Sequence, residues 1–136
     1  MCIRDSNSIG AAMAVAEHPG IRHTLLGGEY KRVGGSLSGA ITVETLSRFH
    51  VDTAFIGVSG ITPQGIFTVD VAEGHVKQAA IQAARRVVVP LDTSKVGYQD
   101  FYHLAALDVI DDIVTEAPHE DLARWCAEHG VRLHTA

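Results

Sequence analysis

Apolar residues along this chain recur in two alternating rhythms, a helical one and a strand-like one. Asn7 or Ser8 can cap a helix running through "IGAAMAVAEHP", which Pro19 and Gly20 end. "IRHTLLGG" then reads as a short strand closed by two glycines. "GGEYKRVGGSLSG", with five glycines, reads as a loop. Val43, Leu46 and Phe49 share one side of a helix predicted over about residues 40–50. "DTAFIGVSGI" is the next strand, with Ser59 and Gly60 at its exit, and "TPQGIFTVD" is a loop or hairpin. Ala72, Val76, Ala79, Ala80 and Ala83 form an apolar stripe on a helix predicted over about 70–85.

The strand "RVVVPLD" follows. Its unbroken apolar run predicts burial on both faces, and Pro90, lacking an N–H, belongs near its end. "LDVIDDIVT" reads as a further strand. Pro118 opens a last helix with Leu122, Trp125 and Cys126 inward and Gly130 as its stop, and "VRLHTA" closes as a strand. Alternation of helices and strands with short connections predicts an α/β fold with a mostly parallel sheet flanked by helices. Such sheets bind ligands outside the carboxyl ends of their strands. The exits to inspect are therefore Gly27-Gly28, Ser59-Gly60, Asp92–Lys95 and Thr115-Glu116. Because the pattern opens on a helix, the sheet is expected to lack a first strand supplied from upstream.

Composition narrows the function classes. A chain of 136 residues, 46% apolar and 20% charged, fits one globular domain. A formal charge of −5 argues against general attraction to nucleic acid or anionic membrane. No apolar run approaches the ~18 residues that span a bilayer, and no signal peptide is visible. Cys2 and Cys126 give neither a disulfide framework nor a zinc spacing, in keeping with a reducing cytoplasm. The first six residues, "MCIRDS", match an adapter-derived run found where contig ends are translated. Residues 1–6 are therefore read as non-native and residues 7–136 as the domain, a short native tail being the alternative.

Several chemistries are absent from the sequence. It has no phosphate-binding GxxxxGK[ST], no G-x-S-x-G and no dinucleotide-type glycine pattern. Eight scattered histidines show no ligand spacing, so neither metal nor other cofactor is expected. Three features remain. Gly27 and Gly28, with Ser36 and Gly39, could bring backbone donors close to an anion, or could serve only as turns. Glu73 and Lys77, at i,i+4 in the first turns of a helix capped by Asp70, could be a surface pair or a hydroxyl-binding acid beside the crevice. Asp92–Lys95 could be only a capped turn, yet Lys95 follows a strand expected to be central, where an ammonium is suited to phosphate or carboxylate.

"LLGGEYKRVGGSLSG", "VDTAFIGVSGI", "EGHVKQAAIQAARRVVVPLDTSKVG" and "GVRLHTA", in that order and spacing, resemble the carboxy-terminal effector-sensing domain of DeoR-type transcriptional repressors. The resemblance covers roughly residues 7–136. It implies a fold related to ribose-5-phosphate isomerase and CoA-transferases, and a phosphorylated sugar as effector. It places Gly27, Gly28, Ser36 and Gly39 on one side of a pocket, Ser59 and Gly60 at a second strand exit, Glu73 and Lys77 on a third side, and Asp92 and Lys95 at the back. Ser59 stands where the family commonly has aspartate, which speaks against isomerase chemistry because a serine hydroxyl is no base at neutral pH. By the same resemblance, the DNA-reading helix-turn-helix and an Asp-x-Gly-Thr-Thr phosphate loop belong upstream of Asn7. The expectation is a non-enzymatic, homo-oligomeric sensor of carbohydrate metabolism that touches DNA only through that other domain. A sugar-phosphate isomerase-like enzyme and a pure oligomerisation domain are the alternatives.

Overall fold

A computed structural model describes residues 2–136, and the chain divides into two compact units, 1–49 and 50–136. The first unit opens with strand β1 (Cys2–Ser6), helix α1 (Ile9–Ala16) and strand β2 (Ile21–Leu25). β1 and β2 pair in parallel, from Cys2↔Ile21 to Ser6↔Leu25. The expectation that the chain opens on a helix therefore does not hold. Five consecutive backbone pairings define β1, and such pairing needs no strong side-chain alternation. Ser8 caps α1, its Oγ accepting from the Ala11 amide at 3.2 Å. α1 is apolar on nearly every side, yet none of its residues is buried, and Met13 is 68% exposed.

The glycine-rich stretch is not an irregular loop. It folds as an antiparallel hairpin, β3 (Glu29–Lys31) with β4 (Ser36–Ser38), leading into helix α2 (Ala40–Ser47). Each strand has only three residues, too few for alternation to show against five glycines. Asn7 holds the hairpin, donating from Nδ2 to the Leu37 carbonyl at 2.9 Å and accepting the Leu37 amide at 2.7 Å.

The second unit is built on four parallel strands: β5 (Val51–Phe55), β8 (Ala84–Pro90), β10 (Asp112–Thr115) and β11 (Arg132–Thr135), in spatial order β11-β10-β8-β5. Between β5 and β8 come a hairpin of β6 (Gly60–Thr62) with β7 (Gly65–Thr68), and helix α3 (Val71–Ala83). Strand β9 (Tyr102–Ala105) pairs antiparallel with β7, a strand that no periodicity in "FYHLAA" announces. Helix α4 (Glu120–His129) joins β10 to β11, and Gly130 closes it as expected.

Strand order follows chain order without reversal, so right-handed crossovers put α3 and α4 on the same face. The core lies there. Ala54, Val87, Val89 and Ile113 from the sheet meet Leu122, Trp125 and Cys126 from α4, with Ala80 and Ile81 of α3 packed alongside. Burial pushes the Cys126 thiol upward in pKa, in keeping with a core side chain. The register Phe55↔Val88↔Asp112↔Arg132 defines the opposite face, which leaves Phe55 71% exposed. Among the described residues no helix is long and apolar enough to cross a membrane.

Candidate functional site

The carboxyl ends of β5 and β8 gather most of the candidates in the second unit. α3 ends at Ala83 and β8 begins at Ala84, so α3 runs back against the sheet. Its thirteen residues, at about 1.5 Å each, carry its first turns toward the carboxyl ends of the strands. Asp70 caps it, accepting the Glu73 amide at 2.9 Å, and half-buried Glu73 and Lys77 sit in those turns. Lys77 Nζ donates to Thr68 Oγ1 of β7 at 3.3 Å. Burial lowers the Lys77 pKa, and the charge of Glu73 partly opposes that shift.

The turn after β8 is fixed by its own hydrogen bonds. Asp92 Oδ1 accepts the Ser94 amide at 3.1 Å and also the Ser94 hydroxyl. The Lys95 amide reaches the Asp92 carbonyl at 3.1 Å. The Thr93 amide and hydroxyl donate to Glu116, at 3.0 Å and 2.7 Å from Oε1. The amides of residues 93–95 are therefore engaged within the protein. The group left with capacity is the ammonium of Lys95, 3.6 Å from Asp92 Oδ2 and about one-third exposed. The Ser94 hydrogen bond, with help from Lys95, lowers the Asp92 pKa and keeps that carboxylate ionised.

Ser59 and Gly60 stand next to this turn. The Gly97 amide donates to the Ile61 carbonyl at 2.8 Å, drawing the segment after Lys95 across β6. A Cβ on Gly60 would overlap the Tyr98 carbonyl oxygen and lie 2.9 Å from its carbon, so glycine is required there by space. Ser59 Oγ donates to Asp100 Oδ2 at 2.6 Å. In the first unit, the Gly27 carbonyl accepts from Thr42 Oγ1 at 2.6 Å. A Cβ on Gly28 would collide with that same Oγ1 and come within 2.6 Å of the Ser38 carbonyl. Ser36 lies in β4 and Gly39 at the start of α2. Close packing accounts for Gly28 and Gly60 before any ligand is considered.

Three acids went unassigned in the sequence. Asp100 lies 41 residues from Ser59 in an aperiodic stretch, which no spacing rule connects. Glu116 was visible only as part of a strand exit. Its bonds from Thr93, with a further one from Thr115, hold its pKa down to about 2. Asp112, 1% exposed, sits at the amino end of β10, away from the crevice. It accepts from Arg132 Nε at 2.9 Å and Arg86 Nε at 2.7 Å, and lies 2.8 Å from His134 Nε2. Arg132 first and Arg86 next hold its carboxyl far below the ordinary range. An acid inside the apolar run "VIDDIV" was the signal for such partners. Among the described residues no three His, Cys, Asp or Glu side chains are placed to hold a metal.

Glu116 provides a pH test of the latch it forms with Thr93 across the turn. Its folded pKa lies below the ordinary ~4.3. The latch therefore stabilises the fold above pH ~4.3, and that contribution is lost as pH falls through about 2. Thr93→Val removes the hydroxyl bond, the largest cause, and is expected to move the Glu116 midpoint upward in an NMR titration. An unmoved midpoint would show that the Thr93 hydroxyl does not hold the carboxylate.

The family model described as the DeoR C terminal sensor domain matches residues 6–117. Over 133 residues, 97% of this chain, the sequence is 37% identical to the HTH-type transcriptional repressor GlcR of Bacillus subtilis (strain 168), covering 52% of that protein. It is 29% identical over 114 residues to the glycerol-3-phosphate regulon repressor of Escherichia coli (strain K12), 83% of this chain and 45% of that one. It is 28% identical over 133 residues to the HTH-type transcriptional regulator IolR of Bacillus subtilis (strain 168), 96% of this chain and 53% of that protein. The chain spans about half the length of these relatives, which are transcriptional repressors and regulators.

Proposed function

The chain belongs to the family of DeoR C-terminal sensor domains, and from that premise we infer that it binds a phosphorylated sugar in the cytoplasm. In the whole, homo-oligomeric repressor, occupancy is passed to a helix-turn-helix region lying outside these residues. Lys95 takes the anionic group, with Lys77 as the second cation. Glu73 and Asp92 accept from sugar hydroxyls. The Gly27-Gly28 turn, with Ser36 and Gly39, is a separate candidate in the first unit.

The observation that carries this reading is the turn at Asp92–Lys95. Its geometry is set by Asp92 and Glu116 without help from a ligand, and Lys95 stands just beyond a central parallel strand. Preorganised charge at a strand exit lowers the ordering cost of binding. Ligand can shift the repressor between states only by its difference in affinity for the two.

A thermal-shift screen of the whole repressor against phosphorylated sugars tests the reading. One sugar phosphate is expected to raise the melting temperature without being turned over. At a concentration of 100 Kd the stabilisation is about 2.7 kcal/mol. Absence of a shift with every phosphorylated sugar would overturn the assignment and leave a non-phosphorylated effector or an oligomerisation role.

A further inference from the structure

The carboxylates at the carboxyl end of the sheet differ in what they have left to offer. Asp92 is engaged by Ser94 and faces Lys95. Glu116 is engaged by both Thr93 groups and by Thr115 Oγ1 at 2.9 Å. Asp100 takes one donor on each oxygen: Ser59 Oγ on Oδ2, and the Phe101 amide on Oδ1 at 2.7 Å. A carboxylate offers about four lone-pair sites in all, so this one retains acceptor capacity. Ser59 directs its single proton to Asp100, with the Phe67 carbonyl at 3.2 Å as a second acceptor. Its own lone pairs are then what it can present. The two side chains together form a half-buried pair of acceptors. It is tied to the Lys95 turn through the Gly97–Ile61 hydrogen bond.

We propose that Asp100, oriented by Ser59, is a specificity-determining residue that accepts a hydroxyl of the effector. The proposal rests on the phosphorylated-sugar reading and adds a direction to it. A surface made of acceptors attracts hydroxyl donors and repels phosphate. The anionic end of the ligand therefore lies toward Lys95, and its hydroxylated end on Ser59 and Asp100. Asp100 also supplies a carboxylate beside the strand exit where the chain carries serine.

The test titrates the whole repressor with a hexose 6-phosphate, a pentose 5-phosphate, glycerol 3-phosphate and inorganic phosphate. Inorganic phosphate is read by competition where its own heat is small. Asp100→Asn keeps the size and the Phe101 contact but removes the charge. It is expected to weaken each hydroxylated phosphate that binds by about 10- to 100-fold, as for hydrogen bonds to charged groups, and inorganic phosphate by less than about twofold. Ser59→Ala, which leaves the carboxylate in place, is expected to give a smaller loss with the same selectivity. Equal weakening of all four, as a purely structural role would give, or no weakening, overturns the proposal alone. Silence of the unsubstituted repressor toward all four, and toward every phosphorylated sugar of the thermal-shift screen, overturns the phosphorylated-sugar reading and this proposal with it.

Discussion

Lys95→Ala in the whole repressor is expected to weaken binding of a phosphorylated sugar by about 10- to 100-fold, the range for losing hydrogen bonds to a charged group. It should leave the fold intact. The Lys95–Asp92 pair is long, at 3.6 Å, and both side chains are at least one-third exposed. Such exposed pairs are screened by water and contribute little to stability. Asp92 keeps its Ser94 partners after the change, and Glu116 keeps Thr93, so the turn persists without the ammonium. Calorimetric titration, paired with a melting curve, separates the two effects. Unchanged affinity in the variant would remove Lys95 from the site, whereas a collapsed melting temperature would make it structural.

Gly60→Ala should cost stability of about 2–4 kcal/mol, toward the upper part of the range for overpacked and strained sites. The new methyl would meet the backbone of Tyr98, not a side chain that could rotate away. Neither partner can yield easily. Gly60 is paired to Phe67 within the β6–β7 hairpin, and the segment bearing Tyr98 is fastened at Gly97–Ile61 and at Asp100–Ser59. Gly57→Ala is the control, because a Cβ there meets nothing within 4 Å. Its expected change is under about 0.5 kcal/mol. Urea denaturation of both variants decides the matter, and equal midpoints would refute the packing account.

The sequence was readable where one physical demand dominated a whole element. α3 carried its apolar stripe for three turns, and Val76, Ala79 and Ala83 are indeed buried. Val87, Val88 and Val89 of β8 are all buried, on both faces, as an unbroken apolar run in a parallel sheet requires. Leu122, Trp125 and Cys126 face inward from α4. It was unreadable where pairing of backbones, not patterning of side chains, makes the element. β3 and β4 hide among glycines, β9 has a single buried residue, Leu104, and β1 is defined by its register on β2. The candidate residues near β8 could be named because they are consecutive. Their supports could not, since Glu116 reaches Thr93 across 23 residues and Asp100 reaches Ser59 across 41. A local reading of sequence sees the end of a strand but not what the fold brings over it.

The unreversed strand order has a consequence for assembly in time. β5, β8, β10 and β11 emerge from a ribosome in the same sequence in which they sit side by side. Each can dock on a neighbour already made, so no strand must wait for a later one to be inserted between two earlier ones. Asp112 marks the progress of this addition. When β10 arrives, Arg86 is already in place 26 residues behind it. Arg132 and His134 close over the carboxylate only with β11. A nascent chain halted before β11 would therefore hold Asp112 through Arg86 alone and leave Oδ1 open at its growing edge, without the donors that Arg132 and His134 bring.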